Sequence, residues 1–296
     1  MHDMEQKRKS VKNEDSAPKV QEELLNKFQE TDCEKKLAVI VGASSGIGYE
    51  TAIKLIGRNY RVINISRTSC RLDQVANCMA DVSVPGELEK VIFEIGTALK
   101  SIDVLVYCAG FSMGAPIEKA EEKDYRYLFE VNFFGALRAI QSTIPFMKER
   151  GGRIILVSSM GGILPIAYDS FYSCSKAALN MLAQSSYSEL EEFSIHTTAV
   201  LPGGTATTFT FKRKVYSEEK CAGYASKVQQ AVSSLADIEQ NGMSAGEVSK
   251  IIVNCLENKK PPIVVHCGLT NKMNAAAQRI LPNKAVLYLN EMKYFS

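Results

Sequence analysis

The chain has 296 residues, 46% apolar and 23% charged, a balance typical of a globular protein with one large core. Its net charge of +2 comes from interspersed charges, which argues against nucleic acid as a partner. The eight cysteines include no CxxC pair, so they read as mostly buried reduced thiols in a cytoplasmic setting rather than as a disulfide framework or zinc site. No run approaches the roughly 18 apolar residues of a membrane span.

Residues 1 to about 35 are rich in Lys, Glu, Asp and Gln and lack strand-like runs. They read either as a flexible extension or as a short amphipathic helix. In the second case Val20, Leu24, Leu25 and Phe28 would dock on the domain, a second subunit or a membrane surface, with nothing in the sequence to support the membrane. From Lys36 onward, short β-rich apolar runs alternate with longer amphipathic stretches. Strands are predicted at 37–41, 61–65, 76–80, 102–107, 153–157, 196–200 and 263–266, and helices at about 46–57, 84–100, 122–149, 169–192 and 244–258. This alternation predicts one α/β domain over 36–296, a Rossmann-type doubly wound parallel sheet of about seven strands with helices on both faces. Residues 203–240 break the rhythm with Thr-rich and charged stretches, among them Lys212 to Lys214. They predict a substrate lid, or else a surface helical insertion without a ligand role. A tail of about 268–296 carries Ile280, Leu281, Val286, Leu287, Leu289, Met292 and Phe295, which need cover near the lid or at a subunit contact.

Gly42-Ala-Ser44-Ser45-Gly46-Ile47-Gly48 follows the first strand and opens the first helix. Glycines there allow a tight turn and a close approach of backbone to pyrophosphate, which the helix N-terminus also favours. The second strand ends Ile65-Ser66-Arg67-Thr68, with a serine where an NAD site usually places an acid and an arginine beside it. That favours NADP(H) over NAD(H), the competing reading being an exposed arginine capping the strand. Asp81, followed by Val82, is placed either to accept from the adenine amino group or to cap a helix. Tyr172 and Lys176 are four residues apart in a predicted helix, on one face, where the ammonium can favour phenolate. Cys174 between them reads as a buried, inert thiol.

In order and spacing these segments resemble the short-chain dehydrogenase/reductase family over about Lys36 to His266. Gly42, Gly46 and Gly48 match its GxxxGxG loop, and Tyr107-Cys108-Ala109-Gly110 resembles its Asn-Asn-Ala-Gly turn with both asparagines replaced. Asn132 matches the active-site asparagine, and Ser159 lies thirteen residues before Tyr172, the family's serine-to-tyrosine spacing. Pro202-Gly203, with Thr205 and Thr207, resembles the segment that holds the nicotinamide carboxamide. Val41 replaces the family's threonine before the loop, and Ser45 stands where many NADP-preferring members are basic, so Arg67 carries most of the cofactor argument.

The resemblance implies a CH–OH oxidoreductase that uses no metal. Tyr172 would be general acid and base, Ser159 would hold the substrate oxygen, Lys176 together with the positive nicotinamide ring of the oxidised cofactor would lower the phenol pKa, Lys176 would also grip the ribose, and Asn132 would hold a water linking Lys176 to solvent. The lid and tail suggest a lipophilic ketone or alcohol, steroid-, retinoid- or acyl-like. A 3-oxoacyl reductase of lipid synthesis and a non-catalytic NADP-binding sensor are the competing functions. Members of the family commonly form homodimers or homotetramers through the helices at about 122–149 and 169–192.

Overall fold

The structure is a computed structural model that describes Phe28 and residues 34–295. Its centre is β1 (Leu37–Val41), buried along its whole length. Leu37, Val39 and Val41 face one core and Ala38 and Ile40 face the other, which is why the segment is a continuous apolar run. The other strands are β2 (Arg61–Ser66), β3 (Val75–Met79), β4 (Val104–Tyr107), β5 (Gly152–Val157), β6 (Ile195–Leu201) and β7 (Val264–His266). They pair in the order β3-β2-β1-β4-β5-β6-β7, every neighbour parallel. The chain reverses its direction of travel across the sheet between β1 and β4, and an open α/β sheet binds ligands at the carboxyl ends of strands at such a point.

The helices are α1 (Gly46–Ile56), α2 (Glu87–Leu99), α3 (Glu122–Phe129), α4 (Gly135–Thr143), α5 (Ser170–Leu190), α6 (Ala225–Gln240), α7 (Ala245–Glu257), α8 (Leu269–Ile280) and α9 (Asn283–Phe295). Leu88, Ile92 and Ile95 of α2, Ala136 and Ala139 of α4, and Leu179 and Ala183 of α5 cover one face of the sheet. Ala52 and Leu55 of α1 and Val248, Ile252 and Val253 of α7 cover the other. A capping box sets the start of α7: Ser244 Oγ accepts from the Glu247 N–H at 3.2 Å, and Glu247 Oε2 accepts from the Ser244 N–H at 2.8 Å.

The helix predicted over 122–149 is broken. A π-helical turn, Glu130–Phe134, separates α3 from α4, and a 3-10 turn follows at Ile144–Phe146. Two long-range contacts accompany the break. The Tyr107 hydroxyl donates to the Val131 carbonyl at 2.6 Å, and the Asn132 carboxamide is held by the backbone of Phe111. Gly135 makes room for this, since a Cβ there would lie 2.4 Å from the Tyr107 hydroxyl oxygen.

The segment predicted as a lid contains α6, a helix that the sequence reading offered only through its alternative of a surface helical insertion and without bounds. It is tied to the sheet edge by two short parallel ladders, Met113–Gly114 with Lys214–Val215 and Thr205–Ala206 with Met243–Ser244. α9 packs against α6, where Ser234 Oγ donates to the Tyr294 carbonyl at 3.0 Å. Tyr294, Leu235, Val228, Ile166 and Tyr172 form a third apolar cluster between lid, tail and α5. Ile280, Leu287, Leu289 and Met292 of the tail stay exposed. Of the four apolar positions predicted near the N-terminus, Phe28 is buried against the sheet and its carbonyl accepts from Arg61 Nη1 at 3.0 Å. Val20, Leu24 and Leu25 lie outside the described residues.

Candidate active site

One cleft of about 700 Å³ runs along the carboxyl edge of the sheet astride β1 and β4. At one end Gly42 adopts φ +96°, in the left-handed region, and a Cβ there would approach the Ala109 nitrogen to 3.0 Å. A Cβ on Gly48 would lie 2.3 Å from the Gly42 carbonyl oxygen, so only glycine lets α1 start this close to the turn. Ser44, Ser45, Gly46 and Ile47 line the same wall. The Ser45 side chain does not cap α1, whose first N–H groups therefore point at the cleft without a side-chain acceptor from Ser45. This cradle fits a pyrophosphate.

Ser66, Arg67, Asp81, Val82, Ala109, Gly110, Pro202, Gly203 and Thr205 line the cleft in turn. Arg67 is 68% exposed, donates to the Tyr127 hydroxyl at 3.1 Å and stands 3.6 Å from the Asp81 carboxylate. Asp81 does not cap a helix, since Gly86 precedes α2. Its Oδ1 accepts from the N–H and hydroxyl of Ser83 at 2.9 and 2.7 Å, a local turn. Thr207 is not on the cleft wall. It packs against Gly46, its hydroxyl accepts from the Phe209 N–H at 3.2 Å, and Thr205 and Thr208 line the cleft instead.

At the other end α5 brings Tyr172 and Lys176 to the wall, with Ser159 reaching in from the turn after β5. Ser159 Oγ accepts from the Gly161 N–H at 3.0 Å and is hydrogen-bonded to the Tyr172 phenol. Ser158 Oγ donates to the Lys176 carbonyl at 3.1 Å, an anchoring role that leaves Ser159 as the partner of the tyrosine. Lys176 Nζ donates to the Val157 carbonyl at 2.9 Å and lies 5.7 Å from the centroid of the Tyr172 ring. Burial lowers the lysine to about 8.

The Tyr172 phenol is raised, against the sequence expectation. Burial is the largest cause, Asp169 and Glu239 add to it, and the Ser159 hydrogen bond and Arg213 oppose it. The Lys176 ammonium is engaged by the Val157 carbonyl, and burial of the phenol sets the direction. Asn132 stands behind the wall. Its Oδ1 accepts from the Phe111 N–H at 3.0 Å, and its Nδ2 donates to the Phe111 carbonyl at 2.9 Å and to Ser175 Oγ at 3.0 Å. A Cβ on Gly110 would lie 3.1 Å from Asn132 Oδ1 and 3.4 Å from Lys176 Nζ, so both groups converge on that glycine.

Residues 36–218 match the family model described as short chain dehydrogenase. The chain belongs to the short-chain dehydrogenase family. It is therefore an oxidoreductase acting on CH–OH groups. A 3-ketodihydrosphingosine reductase from Bacteroides thetaiotaomicron is 30% identical over 267 residues, covering 88% of this chain and 98% of the relative. Retinol dehydrogenase 8 from Bos taurus is 27% identical over 261 residues, 77% of this chain and 80% of the relative. The crystal structure of a short-chain dehydrogenase from Streptomyces avermitilis superposes with a TM-score of 0.75 at 28% identity, covering 87% of this chain and 96% of that one.

This short-chain dehydrogenase has site residues that its sequence did not announce. Asn64 braces the glycine loop: Oδ1 accepts from the Ala43 N–H at 2.9 Å, while Nδ2 donates to Ser66 Oγ at 3.0 Å and Asn77 Oδ1 at 2.9 Å. A lone amide inside an apolar strand was the available signal. Lys212 Nζ donates to Ser45 Oγ at 3.2 Å, so the lid supplies a cation where the loop lacks one. Nothing local marked that contact, 167 residues apart in sequence. Cys174 is exposed on the outer face of α5, a correction to the buried thiol expected, because the face shared by Tyr172 and Lys176 turns Cys174 outward.

Proposed function

We propose that this short-chain dehydrogenase is an NADP(H)-dependent oxidoreductase that interconverts a ketone and a secondary alcohol on a lipophilic substrate, with Tyr172 as general acid in reduction and base in oxidation. The observation that carries this reading is the meeting of Tyr172, Ser159 and Lys176 at one end of a continuous cleft whose other end is the glycine cradle. Arg67 at the end of β2 and Lys212 beside Ser45 supply two cations for a 2′-phosphate, and Ser66 in place of an acid adds no repulsion. The apolar lining by Leu164, Ile166, Phe209, Leu235 and Ile238 supports a lipophilic substrate, as does the likeness to a 3-ketodihydrosphingosine reductase and a retinol dehydrogenase.

A dihydronicotinamide cofactor held by the Gly42–Gly48 cradle and by the wall at Pro202 and Gly203 would supply a hydride to the carbonyl carbon. Ser159 holds the carbonyl oxygen by a hydrogen bond, within reach of the phenol. Tyr172 gives its proton to that oxygen as the carbon is reduced, so C=O becomes CH–OH and the enzyme is left with a tyrosinate. The raised phenol keeps Tyr172 protonated at neutral pH, the form that reduction requires. Lys176, beside the ring, stabilises the tyrosinate electrostatically until it is reprotonated.

Among the described residues no helix is long and apolar enough to cross a membrane. The described cysteines are all free, which supports the cytoplasm, and exposed Phe134 on the turn before α4 and Met181 on α5 support pairing of two copies through those helices. The test is NADPH consumption with panels of long-chain, steroid and retinoid ketones. Reduction of a lipophilic ketone with NADPH preferred over NADH is expected. Tight NADPH binding with no ketone consumed would replace the proposal with a non-catalytic NADP-binding role.

A further inference from the structure

Next to Tyr172 lie three buried ionisable side chains that the reduction does not use: Asp169, Arg213 and Glu239. Arg213 Nη2 donates to Glu239 Oε1 at 2.5 Å, and Nε donates to Ser112 Oγ at 2.8 Å. Glu239 Oε2 accepts from Thr210 Oγ1 at 2.5 Å. This pair is satisfied. Asp169 occupies the N-cap position of α5, yet its side chain makes no cap bond. Its Oδ1 accepts from the Met113 N–H at 3.0 Å, and the Ser112 hydroxyl also stabilises its charge. Its Oδ2 has no hydrogen-bond partner, although the residue is only 3% exposed.

Asp169 lines the same cleft as Tyr172, one helical turn upstream of it. When Asp169 is ionised, two carboxylates share one guanidinium, so the cluster then carries one negative charge without a counter-ion of its own. A buried carboxylate oxygen without a partner is costly, and a wholly apolar substrate would leave it so. A hydrogen-bond-donating cation in the cleft would satisfy both the charge and the open oxygen.

We propose that Asp169 is the subsite for an ammonium group carried next to the reacting carbonyl, which makes long-chain α-amino ketones the substrate class of this enzyme. The inference rests on the ketone-reductase reading above and deepens it. The carbonyl oxygen lies at Tyr172 and Ser159, the ammonium turns toward Asp169 Oδ2, and the alkyl chain runs over Ile166 and Leu235. Burial raises Asp169 to about 7, with Glu239 adding to the rise and the Met113 N–H, Arg213 and Ser112 opposing it. The titratable groups facing Asp169 are Arg213, Glu239, Tyr172 and Tyr294. The charge of Asp169 changes near neutral pH.

The experiment compares two ketones of equal chain length, one with a 2-amino group and one without, as substrates for wild type and Asp169→Asn with NADPH. The wild type should favour the amino ketone at least ~10-fold in kcat/KM, and Asp169→Asn should bring that ratio close to unity. Equal rates on the two ketones in wild type, or an undiminished ratio in the variant, overturns the proposal. A binding measurement on the NADP-loaded protein is independent of turnover. A long-chain primary alkylamine should bind about tenfold more weakly at pH 6 than at pH 8, because Asp169 is neutral below about 7, while an alcohol of the same length shows no such change. Identical pH dependence for amine and alcohol counts against the subsite. Pronounced amine selectivity without reduction of any ketone supports the subsite and defeats the reductase reading. Ketone reduction without amine selectivity does the reverse.

Discussion

The two walls of the cleft are built differently. The cofactor wall is the carboxyl edge of the sheet, where Gly42, Ser66, Ala109 and Pro202 follow strands held by parallel ladders, and Asn64 locks the glycine turn from beneath. The facing wall is α6, α9 and the segment after β6, joined to the body by two ladders of two residue pairs each and by side-chain bonds such as Arg213 to Ser112. A wall made of backbone offers one shape, suited to a ligand that never changes. A wall made of helix side chains can be varied without disturbing the sheet, and we propose that substrate choice is set there.

Variants sort by wall. Tyr172→Phe, at the junction, should lower the rate of NADPH oxidation by about 10³-fold or more while changing NADPH affinity less than about threefold, measured by turnover and by fluorescence titration. Gly48→Ala, on the cofactor wall, should raise the NADPH dissociation constant at least ~30-fold, because its Cβ would collide with the Gly42 carbonyl 2.3 Å away; unchanged affinity would show that the loop relaxes freely. Tyr294→Ala, on the other wall, should raise the ketone KM by about tenfold and leave the NADPH constant alone. Arg67→Ala and Lys212→Ala should each weaken NADPH by about fivefold with little effect on NADH, since both cations are exposed and screened.

The smallest expected effect is on stability. Asp169 is raised in the folded state, so its stabilising contribution is full below the unfolded carboxylate pKa and is lost as pH rises through about 7. Asp169→Asn should therefore gain a few degrees of Tm relative to wild type between about pH 4 and pH 7.5. A Tm difference that does not move with pH would mean that Asp169 is not held above its ordinary value.

Local pattern made the cofactor wall legible. Strand ends were placed within two residues because buried parallel strands are unbroken apolar runs, and the spacing from Ser159 to Tyr172 placed two side chains that the structure brings into hydrogen-bond contact. Tertiary contacts decided what was missed. The break at Asn132 depends on Tyr107 and Phe111, and the cluster of Asp169, Arg213 and Glu239 joins three segments with no shared periodicity. α6 did carry apolar residues at helical spacing, Val228, Ala231 and Leu235, but Ser and Gln between them diluted the signal. The spacing of Tyr172 and Lys176 carries no sign of the desolvation that sets the direction of the phenol's shift.

The most direct test of the account follows deuterium from NADPH labelled at the transferable position into a lipophilic ketone. One deuterium per turnover on the new carbinol carbon is predicted for wild type, with none transferred by Tyr172→Phe despite bound cofactor. Consumption of NADPH without deuterium in the product, or transfer by Tyr172→Phe at the wild-type rate, would contradict it.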